Sequence, residues 1–246
     1  DSFKPDFNLD LLRSNNYICH FFAVRKTIIE QVGVLCEEYD GAQDYDFILR
    51  CTEASRKIAH IPRILYHWRI HNSSTADNPS SKLYAYEAGL HALEAHLKRM
   101  NTIGKVTMRS DYGFYDIEYP LTDTPLVSII IPNRDQSDSL IKCIDSIINK
   151  STYPSYEIIV VENNSCEEKT FNTYKKLEQK GVTIVTYPHK TFNYSAINNY
   201  GVKFAHGKYL LLLNNDIEVI TPDFIEKMLG NCQRKEVGIV GAKLYY

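Results

Sequence analysis

Apolar positions fall into two distinct patterns along the 246 residues. In the second half they come in short continuous runs rich in β-branched residues: LVSIII at 126–131, EIIVVE at 157–162, VTIVTY at 182–187 and KYLLLLN at 208–214. A run of this length and composition predicts a strand covered on both faces. Between the runs, Leu140, Ile144, Ile147 and Ile148 recur at helical spacing. A lysine-rich stretch after 165, a segment through 194–205 and a segment opened by Thr221-Pro222 also read as helices. VGIVGAKL closes the half as a further predicted strand. Strands alternating with helices predict a mostly parallel α/β sheet flanked by helices. Ligands of such sheets bind beyond the carboxyl ends of the strands, so the loops after Pro132, Glu162 and Asn214 become candidates.

The first half is less regular. QDYDFILRCTEAS predicts a helix with Phe47, Ile48 and Cys51 on one face. Leu83, Tyr86, Leu90, Leu93 and Leu97 trace a stripe along a helix at 82–99, with Glu94 and Lys98 as an i,i+4 surface pair. NNYICHFFAVRK reads as a strand running into a helix start, and KIAHI and RILYHWR as strands joined at Pro62. The stretch 101–124 lacks a sustained period and reads as a linker with one short strand at FYDIEY. The expected organisation is therefore 1–100, a linker at 101–124, and 125–246.

Composition narrows the function classes. A net charge of −2 argues against nucleic-acid binding through a basic field. The apolar runs are too short to span a bilayer, so no transmembrane segment is expected. The six cysteines form no CxxC pair, which speaks against a zinc knuckle. They read as ordinary buried thiols of a reduced cytoplasmic protein. The abrupt ends, DSFKPDF and GAKLYY, read as those of an excised fragment.

Five stretches carry candidate chemistry. Asn133, Arg134 and Asp135 follow the first buried run; as a lone feature this is an ordinary polar loop. Glu162 follows the second run directly and suits either a hydroxyl-bearing ligand or a helix cap. Asn214, Asn215 and Asp216 follow the four leucines of 210–213, an oxygen-rich tip suited to Mg²⁺ or Mn²⁺ but also to a turn. Asp44 stands at a helix start, where a carboxylate simply complements the dipole. His60, His67 and His71 surround Trp68 and are more often structural than ligating. No GxGxxG follows the first run, and no GxxxxGK[ST] or GxSxG occurs.

Taken together, PLVSIIIPNRD, YEIIVVENNS, FNYSAINNYGVKFAHGKYLLLLNNDIEV and VGIVGAKL closely resemble family 2 glycosyltransferases of the A-type, Rossmann-like fold, almost continuously over 125–246. This portion resembles the nucleotide-binding first part of such a domain. FKPDFNLDLLRSNNYICHFFAVRK, VGVLCEEYDGAQDYDFILR and HIPRILYHWRIHNSSTA resemble the later, acceptor-side part. The halves thus occur in reverse order, as at the junction of tandem domains in bacterial surface-polysaccharide proteins of rhamnan or O-antigen type. Their complementary content suggests a circularly permuted domain built from two half-domains, or a swapped homodimer.

The resemblance implies site residues. Pro132, Arg134 and Asp135 match the first nucleotide-contacting loop. Glu162 stands where the family usually has a base-contacting Asp, and Asn164 and Ser165 extend its loop. Asn198 matches an Asn near the diphosphate. Asn214, Asn215 and Asp216 match the Asp-x-Asp metal motif, with Asn214 replacing its first Asp and Asp216 as the better ligand. Asp44 matches the catalytic base, with Gln43 where a Glu is usual. His67 or His71 matches a late metal-binding histidine, His71 being favoured. The implied reaction is inverting transfer from a nucleotide diphosphate sugar, UDP- or dTDP-linked, to a glycan acceptor with Mn²⁺ or Mg²⁺. The implied location is cytoplasmic, extending to the inner face of the membrane. The competing reading is a catalytically inactive nucleotide-binding or scaffold fragment, motivated by the reversed order and by Asn214.

Overall fold

The computed structural model describes residues 3–67 and 83–242. The chain divides into two compact units, 1–120 and 121–246.

The second unit is organised by a four-stranded parallel sheet in the order β5-β4-β3-β6. Its elements in chain order are β3 (Val127–Asn133), α5 (Ser137–Lys150), β4 (Tyr156–Glu162), α6 (Glu168–Glu178), β5 (Thr183–Thr186), α7 (Tyr194–Val202), β6 (Tyr209–Leu212) and α8 (Phe224–Cys232). Side chains alternate across the sheet, so the central strands feed two cores. Ile129, Ile131 and Val160 pack with Leu140, Ile144 and Ile147 of α5, Leu177 of α6 and Leu229 of α8. Ile130, Ile159 and Val161 pack on the other face against Ile197 of α7. Helix α7 lies so close that a Cβ on Gly201 would meet Ile130 and Val161 methyls at 2.7 Å. Only glycine permits that approach.

The run 210–213 departs from the expected double burial. Leu211 and Leu213 pack into the first core, but Leu210 and Leu212 are about half exposed, at 47% and 51%. β6 is an edge strand, and α7 covers the second face only as far as the inner strands. The strand expected from VGIVGAKL is not formed over 237–242, which has no regular structure.

Pro132 is compatible with a central strand for a geometric reason. Ile130 accepts a bond from Leu213 N–H on the β6 side, so the position two residues on faces the same way. The β6 ladder stops at Leu212 opposite Ile130, and the missing proline N–H therefore removes no ladder bond.

In the first unit, α1 (Leu9–Ser14), α2 (Lys26–Val32), α3 (Gln43–Ala54) and α4 (Leu83–Arg99) are followed by β1 (Lys105–Met108) and β2 (Tyr115–Glu118). The strands pair antiparallel, Lys105 opposite Glu118. Val106 and Tyr115 join Leu12, Tyr45, Leu49, Ala92, Leu93 and Leu97 in one core. The stretch expected to link thus holds a hairpin belonging to the first unit, and the division falls at 120/121. The strands expected in NNYICHFFAVRK, KIAHI and RILYHWR are absent from the described residues 15–67, which there form loops around α2 and α3. Glu94 meets His91 at 3.2 Å.

Beside this core lies a polar network that the apolar pattern does not announce. The Arg13 Nε–H donates to His96 Nε2 at 3.1 Å, so the imidazole proton sits on Nδ1 and is given to Glu53, 2.7 Å away. Arg99 closes on both Glu53 oxygens at 2.7 and 2.8 Å. Burial pushes the Glu53 carboxyl up, but the His96 and Arg99 hydrogen bonds outweigh it and hold the group below its ordinary range.

Candidate functional site

The carboxyl ends of β3, β4 and β6 lie side by side because the strands are parallel and in register. Each delivers a polar loop, and one buried residue, Asn133, joins all three through its side chain and its carbonyl. Asn133, only 2% exposed, donates through Nδ2 to the Asp135 carbonyl and to the Tyr174 hydroxyl, both at 2.8 Å. Its Oδ1 accepts from Asn215 Nδ2 at 2.6 Å. Its carbonyl accepts from Asn163 N–H at 2.8 Å.

The first loop is held in an unusual shape. Asp135 and Gln136 both have φ +50°. Two successive non-glycine residues in the left-handed region cost roughly 1–3 kcal/mol each and persist only where the surroundings fix them. The fixing contacts are visible. Asp135 Oδ1 accepts from the Cys166 and Glu167 N–H groups at 2.9 and 3.0 Å, and its own N–H donates to Ser165 Oγ at 2.8 Å. The Glu167 N–H, then the Cys166 N–H and the Arg134 charge, hold the Asp135 carboxyl below the usual carboxylate range. Arg134 is exposed at the tip beside the half-buried Pro132.

Glu162 turns out to be an internal organiser. It is 4% exposed. It accepts from Ser165 N–H at 2.5 Å, Ser165 Oγ at 2.6 Å and the Tyr174 hydroxyl at 2.5 Å. Tyr174 is correspondingly pushed up by burial and then by the Glu162 carboxylate. The helix-cap alternative is not what Glu162 does; it closes a tight loop two turns ahead of Tyr174. Asn164, at φ +56°, leaves that loop toward β5 and donates to the His189 carbonyl at 2.9 Å.

At the third tip, Asn214 Oδ1 accepts from the Tyr194 hydroxyl at 3.1 Å, Asn215 is tied inward to Asn133, and Asp216 is exposed. Asn198 lies buried in α7. Its Nδ2 donates to the Tyr194 carbonyl at 2.9 Å, while Oδ1 has no hydrogen-bond partner among the described residues. Hydrogen bonds join Asp135, Glu162, Ser165 and Asn215 to Asn133 and Tyr174 in one network, while Pro132 and Arg134 lie on the first loop, Asn164 bonds to Asn163 and the His189 carbonyl, and Asn214 bonds to Tyr194. The structure leaves the Asp216 carboxylate outward. Tyr174 and Asn133 were not singled out as ligand-organising residues by sequence. The only signal for Tyr174 is a tyrosine on the buried stripe of a helix, where Phe or Leu would serve packing equally well.

Asp44 stands in the first turn of α3 in the other unit. Its Oδ1 accepts from the Tyr45 N–H at 2.9 Å; its Oδ2 accepts from Asn16 Nδ2 at 3.3 Å and from the Cys19 thiol at 3.4 Å. Burial and then the Asp44 charge push the Cys19 thiol up. Gln43 turns away, its Oε1 accepting from Gly41 N–H at 2.8 Å. His67 is exposed, and His71 lies outside the described residues. All six cysteines are free, but only Cys51 and Cys143 are buried, against the expectation for the set.

A divalent cation at 214–216 fits the donor set to a limited extent. One free carboxylate is present, and small hard cations are commonly held by one or two carboxylates with phosphate oxygens completing the shell. Among the described residues no second His, Cys, Asp or Glu pair gathers with Asp216 into a group of three.

Comparison with known proteins shows what the second unit is similar to. Residues 128–246 match the model described as glycosyl transferase family 2. Residues 128–246 are thus similar to a family 2 glycosyl transferase domain. An O-antigen biosynthesis protein, RfbC of Myxococcus xanthus, is 41% identical over 99% of this chain and 19% of its own length. A poly(ribitol-phosphate) beta-glucosyltransferase of Bacillus spizizenii is 32% identical over 37% of this chain and 14% of its own length. A mannosyltransferase from Pyrobaculum calidifontis, solved with GDP-Man and Mn²⁺, is 16% identical with a TM-score of 0.42 over 63% of this chain and 43% of that one. The chain therefore spans about a fifth or less of those two sequence relatives, at 19% and 14%. No helix among the described residues is long and apolar enough to cross a membrane.

Proposed function

We propose that residues 121–246 form the donor-binding half of an inverting glycosyltransferase that takes a nucleotide diphosphate sugar and acts in bacterial surface-polysaccharide synthesis. The observation that carries this reading is Asn133, whose side chain ties the first strand-tip loop to the third and whose carbonyl accepts from the second, with the Asp216 carboxylate left facing solvent. A site needs a rigid shell and an available ligand, and both occur here.

In this reading Arg134 reaches the donor's diphosphate as a planar cation. Asn164 and Ser165 meet the nucleoside, and Glu162 acts through the loop it holds. Asn198 Oδ1, buried and without a partner, awaits a donor on the diphosphate side. Held by Asp216 and the diphosphate oxygens, Mn²⁺ or Mg²⁺ would neutralise charge building on the leaving group. Asp44 of the first unit is the base that accepts the proton of an acceptor hydroxyl attacking the anomeric carbon. A single carboxylate on the attacking side suffices for inversion. The two units are, in this reading, the acceptor-side and donor-side parts of the family's domain.

Thermal melting with UDP, dTDP and GDP, each with and without Mn²⁺, tests the donor half. Ligand at 100 times its dissociation constant adds about 2.7 kcal/mol, a visible shift in midpoint. A metal-dependent shift with one diphosphate supports the site and identifies the base; a flat response from a cooperatively melting protein overturns it. Turnover of labelled donor that is abolished by Asp44→Asn supports the base assignment, and unchanged turnover sinks it.

A further inference from the structure

The environment of Asp44 holds more than a lone carboxylate. The Sγ of Cys19, a ring nitrogen of His20 and a carboxylate oxygen of Asp44 all lie within 4.8 Å of one another. Thiolate, imidazole and carboxylate form the donor set that Zn²⁺ prefers, whereas Mg²⁺ and Mn²⁺ favour oxygen alone. Ligand atoms about 2.0–2.3 Å from a tetrahedral zinc stand roughly 3.3–3.8 Å from each other. Cys19 Sγ and Asp44 Oδ2 are already 3.4 Å apart. A His20 ring nitrogen, within 4.8 Å of both, is the third candidate ligand.

The loop that carries two of these ligands is fixed by its own contacts. Asn16 Oδ1 accepts from the Cys19 N–H at 3.3 Å while Asn16 Nδ2 donates to Asp44 at 3.3 Å, so one amide positions two ligands. The Lys4 ammonium donates to the carbonyls of Ile18 at 2.5 Å and His20 at 3.1 Å, clamping the backbone on either side of Cys19. Outer contacts of this kind orient the ligands of a metal centre.

We propose that Cys19, His20 and Asp44 form a three-ligand Zn²⁺ site with its fourth position open to water. It is separate from the cation expected at Asp216 and differs from it in chemistry. Binding there does not depend on what Asp44 does in transfer. If Asp44 is the base, as proposed above, zinc occupying its carboxylate switches transfer off; that consequence rests on the earlier reading.

The test titrates the purified full chain with Co²⁺ as a spectroscopic stand-in, then with Zn²⁺. One cobalt per chain is expected, with a thiolate-to-cobalt charge-transfer band that zinc abolishes. Cys19→Ser should remove the band, and His20→Ala and Asp44→Asn should each weaken cobalt binding by about tenfold or more. Cys36→Ser and Cys166→Ser, at exposed thiols outside the cluster, should keep both band and affinity. His20 is exposed, so His20→Ala reads out binding even where Cys19→Ser disturbs the loop. No band at one equivalent, a band surviving Cys19→Ser, or full affinity in His20→Ala overturns the site. Intact cobalt binding with transfer unaffected by zinc would instead leave the metal site standing and remove Asp44 from the role of base.

Discussion

The two units are built on different principles. The second rests on a sheet whose central strands are largely apolar on both faces, with its buried Asn133 and Glu162 at the strand tips. The first rests on two helices and a hairpin, and it buries Arg13 and His96 beside its apolar core, tied to Glu53 and Arg99. Hydrophobic burial is non-directional and survives small rearrangements. A buried polar network holds only while every partner is present. The contrast teaches where each unit is vulnerable: the second to lost volume, the first to a lost partner or a lost charge.

The largest expected effect lies in the second unit. Ile131→Ala, at a fully buried central position, should cost about 2–5 kcal/mol in urea unfolding followed by circular dichroism. A loss under 1 kcal/mol would mean that this core is not close-packed. Next comes the first unit's network. Glu53→Gln removes the charge that Arg99 meets and that His96 donates to, and should cost about 1–3 kcal/mol. Its pH signature sharpens the comparison. The folded Glu53 carboxyl titrates below the ordinary value of 4.5, so its contribution is complete above that pH and is lost as pH falls through the folded value. Acid unfolding of the first unit should therefore begin below about pH 4.5 and flatten in Glu53→Gln. The same substitution should leave the second unit's acid limb unchanged.

A smaller effect tests the candidate site. Tyr174→Phe deletes the donor to Glu162 and the acceptor of Asn133 while keeping the ring, and should cost about 1 kcal/mol. Its effect on nucleotide affinity should exceed that on stability, because the loops at Asp135 and Ser165 lose a shared anchor. Equal affinity in the variant would separate Tyr174 from the site. The smallest effect is Gly181→Ala at the turn after α6. The position has φ +86° with nothing within 4 Å of an added Cβ, so only backbone preference is lost, about 1 kcal/mol.

Legibility of the chain followed the same division. The buried runs at 127–133 and 156–162 announced the central strands because both faces are apolar, and order along the chain then set a parallel sheet. VGIVGAKL and RILYHWR also carry β-branched or aromatic residues, but no partner strand exists for them among the described residues. Composition reports the capacity to be a strand; pairing decides it. At the site, the sequence pointed to the loops at the carboxyl ends of the strands because strand tips are where such sheets bind ligands. It did not distinguish Glu162, turned inward to its own loop, from Asp216, left outward, because that depends on the tyrosine supplied by α6. The cluster of Cys19, His20 and Asp44 was illegible because Asp44 lies more than twenty residues from the adjacent Cys19 and His20, which stand in a loop of no regular structure.

Among the described residues strand β6 has one neighbour in the sheet and two leucines in the open, with a consequence for handling the protein. An unpaired, apolar strand edge is a template on which another chain can add a strand. Self-association of concentrated samples should therefore start there, with every core still intact. Its remedy is surface chemistry: a lysine in place of Leu212 would put charge on the one border of the sheet that invites growth.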